Sequence, residues 1–318
     1  MCRQRRATAE RGAARAGAEA FAGRCPGRGH FHRVRKDIKK LRAVLRLVRG
    51  EIGARAYRHN IEALREAANY LAGARDANVR LQALAKLTAY FQPDLSAQSF
   101  RQVKAALHRS SREETERFVQ SQSSGAVRRI LRRLGPALEK LGVRTEGWAA
   151  VGPGVQASYA QGRRAYHRVQ AEPTAENFHE WRKGAKDLWY QVRLLRPIWP
   201  EQMCMLAGEL SRLTELLGED HDLLMLEQAV VDNNCQTNGS LHEAEVLIGL
   251  ISLRQRRLRS AALALGARIY VEKPGTFCSR LGGYWDLWCE EPEPVETEPA
   301  RPGPAGRGAG RRKSRAVA

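Results

Sequence analysis

Apolar side chains recur along this chain at the three- and four-residue spacing of a helix, with no convincing two-residue alternation of the kind a strand needs. Between Phe31 and Arg49, residues Val34, Ile38, Leu41, Leu45 and Val48 share one stripe of a wheel advancing about 100° per residue. Between Phe178 and Arg196 the same stripe holds Trp181, Ala185, Leu188, Val192 and Leu195. The pattern predicts further helices over about 56–71, 76–91, 95–119 and 127–141 in the first half of the chain. Pro93 stops the second of these. Gly152, Pro153 and Gly154 predict a break, after which helices restart at about 159–169, 201–217, 241–270 and 277–288. The fold class read from this is all-α.

Two of these helices are related. FHRVRKDIKKLRAVLRLVR at Phe31 to Arg49 and FHEWRKGAKDLWYQVRLLR at Phe178 to Arg196 lie 147 positions apart and agree at nine of nineteen places. Most of the shared residues are polar. On the wheel, His32, Arg35, Lys36, Lys39, Arg42 and Arg46 form a cationic face separate from the apolar stripe. His179, Arg182, Lys183, Lys186 and Arg193 repeat it. At an offset of 146, LAGARDANV from Leu71 aligns with LGEDHDLLM from Leu217, placing Arg75 on His221 and Asp76 on Asp222. The economical reading is two diverged copies of one helical bundle, packed in tandem about a pseudo-two-fold axis with a shared basic central groove.

Like charges one turn apart repel by a few tenths of a kcal/mol per pair, so a dense face of one sign, kept in position in both copies, calls for a polyanion. The chain's charge supports this. Its 318 residues carry a formal net charge of +20, of which residues 1–30 supply +5 and residues 290–318 supply +1. The body of the protein therefore holds the field. Residues 1–29, rich in Arg, Ala and Gly, are expected to be disordered, as is the Pro/Gly/Arg-rich tail at 291–318. The helical domain between them spans 30–290, in halves of 30–147 and 155–290.

Other chemistries find less support. The six cysteines form no C-x-x-C pair and read as free packing residues in a reducing compartment. No secretory signal and no run of about 20 apolar residues is present, so a cytoplasmic protein without membrane contact is expected. There is no G-x-x-x-x-G-K-[ST] loop, no G-x-S-x-G elbow and no H-E-x-x-H, and no catalytic residue or cofactor is assigned. His221-Asp222 resembles a metal-binding dipeptide, but its counterpart Arg75 cannot ligate a metal, so no metal is assigned either. Asp76 and Asp222 are read instead as helix caps or as carboxylates that hold a cation of the basic face in place. Trp181, Trp189, Tyr190 and Trp199 are read as core or bundle seams, with Trp189 and Tyr190 bordering the cationic face.

The two motifs, H-x-x-R-K-x-x-K-x-L at a helix start and LG-x-x-R/H-D some forty residues on, each present twice, resemble the CHAD family (conserved histidine α-helical domain). The resemblance covers about Phe31 to Glu290. It implies two four-helix bundles about a pseudo-two-fold axis, a basic central cavity that binds inorganic polyphosphate, no catalytic activity, and association with polyphosphate granules. It also implies that the anion-contacting residues are the two cationic faces already named. The faces differ where Lys40 becomes Asp187 and Arg42 becomes Trp189, so the second is weaker in charge. Residues 1–29 show no helical apolar stripe where the family has a helix. Two other function classes stand beside this one. A nucleic-acid-binding protein would suit the basic composition and RG-rich ends but lacks an aromatic-interleaved basic surface. A phosphohydrolase acting on polyphosphate or nucleotides would need a metal-ligand set that the sequence does not display.

Overall fold

In the computed structural model the chain is described from residue 28 to 291, apart from 72, 93, 94, 96–98, 121, 122, 140, 141, 143 and 237–240. The side chains of 28–33, 73–77, 118–120, 123, 124, 139, 233–236 and 241 also lie outside the description. Among the described residues there are ten α-helices, one 3-10 turn at Arg196–Ile198, and no strand. The first half contributes α1 (Arg28–Leu47), α2 (Ala54–Tyr70), α3 (Gly73–Tyr90), α4 (Arg101–Gln120) and α5 (Ser123–Glu139). The second contributes α6 (Trp148–Ala171), α7 (Ala175–Leu194), α8 (Pro200–Gln236), α9 (Leu241–Ile269) and α10 (Pro274–Glu290). Adding the 147-residue offset to the bounds of α1 gives the bounds of α7. No helix among the described residues is long and apolar enough to cross a membrane.

Local chemistry sets the helix ends. Thr174 caps α7, its hydroxyl accepting the Asn177 N–H at 3.2 Å, with Glu176 in the first turn where the helix dipole favours an anion. Pro197 follows its last turn and forces the 3-10 turn. Phe100, ahead of α4, has φ 62°, costly for a residue with a Cβ, and the burial of its ring holds it there. That turn is why α4 begins at Arg101 and not near 95.

The Gly152–Pro153–Gly154 break does not exist: all three lie inside α6. Pro153 forfeits one backbone hydrogen bond, and close packing offsets it. A Cβ at Gly154 would collide with the Leu47 carbonyl at the end of α1. The Trp148 ring lies against both Gly152 and Gly282 of α10, where an added Cβ would sit 2.7 and 2.8 Å from its Nε1. The glycines serve tertiary contact, not chain termination. Arg28 and Gly29, expected in the disordered segment, belong to α1. Residues 1–27 and 292–318 lie outside the described residues.

Three apolar cores result. Val34, Ile38, Leu41 and Leu45 of α1 pack with α2 and α5. Trp181, Ala185, Leu188 and Val192 of α7, all at 0 % exposure, pack with α6, α10, the first half of α8 and the last turns of α9. Both predicted stripes are thus buried, except that Val48 is only partly so. The remaining core crosses the halves: Leu84, Leu87 and Leu107 of α3 and α4 meet Leu223, Leu226, Leu247 and Ile251 of α8 and α9. Helix α8, 37 residues and about 55 Å long, therefore belongs to two cores. The cysteines are not uniformly packed. Cys204 is exposed, while Cys278 donates to the Gly152 carbonyl at 3.3 Å.

Two glycine substitutions separate packing from propensity. Gly154→Ala is expected to lower stability by about 1–3 kcal/mol or more, because α1 must be pushed off α6. Gly249→Ala, in α9 where a Cβ meets nothing within 4 Å, is expected to raise stability by about 0.5–1 kcal/mol. Urea unfolding of both variants checks this, and equal effects would remove the packing argument.

Candidate functional site

The two basic helices lie against each other. Where α1 meets α7, the Gln191 side chain, at 0 % exposure, donates to the Ala43 carbonyl at 3.3 Å. Three residues further along α1, Arg46 donates to Asp187 of α7 at 2.6 Å, the two side chains being only 18 % and 13 % exposed. Positions 43 and 190, next to Gln191, are also the pair that the 147-residue offset relates. The helices thus touch at matching points of their sequences.

Asp187 is where the cations converge. Burial lifts its carboxyl above the ordinary aspartate range, opposed by Arg46, Arg42 and Lys183. Two of these come from α1 and one from α7. Arg42 is itself half-buried, its pKa lowered by burial and then by Arg46, yet a guanidinium stays charged. Its Nε is buried with no hydrogen-bond partner among the described residues. Lys36 and Lys183 are exposed, Lys183 meeting Glu180 at 2.6 Å. Lys39 is half-buried. Lys186 and Arg193 flank Trp189, at 5.1 and 4.8 Å from its ring, so Trp189 does border the cationic face.

The two motifs of each half also come together. Arg35 donates to the carbonyl of Leu71, the residue that opens the second motif of the first half. In the second half Arg182 lies along Gly218, where an added Cβ would be 3.5 Å from its Nε. One turn earlier, the ring of His179 lies against that of His221, with centroids 4.5 Å apart and planes inclined at 41°. Burial lowers the His179 pKa, and Lys183 and Arg182 lower it further. Its Nδ1 is buried without a hydrogen-bond partner among the described residues.

Some expected roles fall elsewhere. Asp222 cannot cap a helix, because α8 continues unbroken from Pro200 to Gln236 and every backbone N–H near Asp222 is within it. Two residues before Asp222, Asp220 orients a cation, 2.7 Å from Arg259. Arg259 in turn lies 4.7 Å over the ring of Phe178, so the repeated Phe of the motif anchors the start of α7 against α8 and α9. Asp76 falls in the first turn of α3 rather than at its cap, and the side chains of His32 and Asp76 lie outside the described residues. Trp181 and Tyr190 are buried as expected, but Trp199 is 40 % exposed and packs edge-on against Tyr284. Sequence reasoning missed His221 as the neighbour of His179. The one available signal was that both residues belong to the two spaced motifs. Among the described residues, no three His, Cys, Asp or Glu side chains gather as a metal site would require.

Comparison with known proteins agrees with this geometry. The crystal structure of the CHAD domain from the plant Ricinus communis superposes with a TM-score of 0.55 at 18 % sequence identity, covering 80 % of this chain and 85 % of that one. At that identity the likeness speaks for the fold. No curated protein sequence matches the chain. The CHAD domain family matches residues 12–231, more than half the chain and inclusive of both copies of both motifs. With its all-helical architecture, this places the protein in the CHAD domain family.

Proposed function

We propose that the protein binds inorganic polyphosphate without transforming it, through the cationic faces of α1 and α7. The observation that carries this reading is that Arg42 and Arg46 from one face and Lys183 from the other act on the single carboxylate of Asp187. Two faces of one sign, from segments 141 residues apart at the Arg46 to Asp187 contact, are gathered at one crossing. Membership of a family whose domains bind polyphosphate supports the same ligand.

The chemistry fits a linear phosphate chain. Such a polymer offers charge and oxygen acceptors but no bases, so a binder needs dense donors with little sequence-reading apparatus. Arginines offer paired N–H donors and lysines mobile point charges. We read the chain as two copies of one unit about a pseudo-two-fold axis, on the ground that α1 and α7 meet at positions the offset relates. The expected ligand set is His32, Arg35, Lys36, Lys39, Arg42, Arg46, His179, Arg182, Lys183, Lys186 and Arg193. A cytoplasmic location with association to polyphosphate granules belongs to the same reading.

Titration calorimetry with medium-chain polyphosphate over a salt series tests it. Wild type is expected to lose affinity steeply with salt, by analogy with counterion release, and Lys36→Glu/Lys183→Glu with unchanged helicity is expected to bind at least about tenfold more weakly. Unchanged binding in that variant, or displacement by nucleic acid as readily as by polyphosphate, sinks the proposal.

Asp187→Asn removes the acid on which Arg42, Arg46 and Lys183 act. Affinity is expected to rise severalfold while stability falls by about 1–3 kcal/mol, because Arg46 loses its partner in a half-buried setting. Weaker binding in this variant would mean that Asp187 positions Arg46 for the ligand.

The free-state pKa of His179 is depressed, so the ring is neutral at pH 7 and a bound polyanion would favour its protonated form. Binding then takes up a proton. Affinity is expected to rise as pH falls below the ordinary imidazole value of about 6.5. His179→Gln should flatten that rise; an unaltered pH profile in the variant would assign it elsewhere.

A further inference from the structure

Beyond the crossing, α1 ends at Leu47 and the chain turns back through Val48–Gly53 into α2. This turn walls a pocket of about 400 Å³. Three arginines from three separate segments line it: Arg49 of the turn, Arg58 of α2, and Arg144 of the stretch before α6. No ion pair joins any of them to a carboxylate among the described residues. The Arg49 guanidinium lies over the Tyr57 ring, its Cζ 5.0 Å from the centroid, and Tyr57 also lines the cavity.

The placement of Arg144 is built, not incidental. Glu51 accepts the backbone N–H groups of Arg144 at 3.1 Å and Thr145 at 2.8 Å, tying that distant stretch to the α1–α2 turn. Those amide bonds hold the Glu51 carboxyl below its usual range, and its binding oxygen is turned to the backbone. Glu51 is thus the acid beside the pocket, and it is engaged in placing a cation there. Gly50 and Gly53 complete the wall with bare backbone. The first turn of α2 carries no acid and no side-chain cap, which adds a modest positive field to that of the guanidiniums.

We infer that this arginine-lined pocket is a second anion site, which takes a compact phosphate anion of the pyrophosphate class. Collecting three cations from three segments around one concavity costs repulsion that a solvated surface would avoid by spreading them. A phosphate with several charged oxygens can accept paired N–H groups from more than one guanidinium at once. The anion has two sources: free pyrophosphate, or the terminal phosphates of a chain lying on the basic helices, since Arg49 follows Arg46 by three residues, just past the end of α1. Only the second source rests on the polyphosphate reading.

Calorimetry with pyrophosphate at low salt tests the site on wild type, Arg58→Glu/Arg144→Glu and Lys36→Glu/Lys183→Glu. The Arg variant is expected to bind pyrophosphate about tenfold or more weakly than wild type, whereas the Lys variant loses only what the basic helices contribute and keeps the binding that depends on Arg58 and Arg144. If the charge reversals unfold the protein, Arg58→Gln/Arg144→Gln replaces them, with circular dichroism as the control. No pyrophosphate binding to wild type, or equal binding to wild type and the Arg variant, overturns the inference. Saturating pyrophosphate that weakens long-chain binding in wild type supports a chain end as occupant; independent binding of the two supports the site with the free anion. Long-chain binding that survives Lys36→Glu/Lys183→Glu would count against the groove alone, whatever pyrophosphate does.

Discussion

Two helices that carry the same charge must lie against each other, and the rest of the structure is arranged around that constraint. Two cations 4 Å apart repel by about 4 kcal/mol at an effective dielectric near 20, too much for a contact to bear repeatedly. The contact avoids it with neutral groups, the amide of Gln191 on the carbonyl of Ala43, and with one carboxylate at the place where a second lysine would have stood. The replacement of Lys40 by Asp187 between the two copies looks, along the sequence, like loss of charge on one face. In space it is what lets Arg46 approach α7 at all. Symmetry would have set Lys40 opposite Arg193 at the matching point, and Arg193 lies instead over Trp189, the second departure between the copies.

The substitutions that break the repeat are therefore as informative as the residues that keep it. A pair of identical basic helices could form neither the Arg46–Asp187 bridge nor the Trp189 platform. The differences between the two segments supply an attraction that their shared residues could not. The same division of labour runs through the motifs: Arg35 meets a backbone carbonyl in one half, while in the other Arg182 rests on Gly218 beside two histidine rings in contact.

Much of this was legible before any coordinates. The apolar stripes of α1 and α7 lie in the cores and the helix count is close, because periodicity is a property of neighbours along the chain. What escaped depended on residues distant in sequence. Gly152–Pro153–Gly154 has the local chemistry of a breaker, but the backbone of α1 presses on Gly154 and the helix is retained. Asp222 has the chemistry of a cap, but α8 runs through it. His221 was visible only as half of a dipeptide, and its real neighbour comes from α7. Phe178 matches Phe31 along the sequence, but its role comes from Arg259 above its ring, 81 positions away.

The continuity of α8 has a mechanical meaning. Its first half is sunk in the core of α6, α7 and α10, its second half in the core shared with α3 and α4, and Gly218 and His221 sit near its middle, beneath the basic helix α7. The first half of the chain, by contrast, divides the corresponding stretch between α2 and α3. A single rod held near its centre acts as a lever. A tilt of a few degrees imposed at Gly218 and His221 moves each end of a helix about 55 Å long by one to two ångströms, in opposite directions. Whatever presses on the histidine pair therefore presses on a helix that two separate cores share.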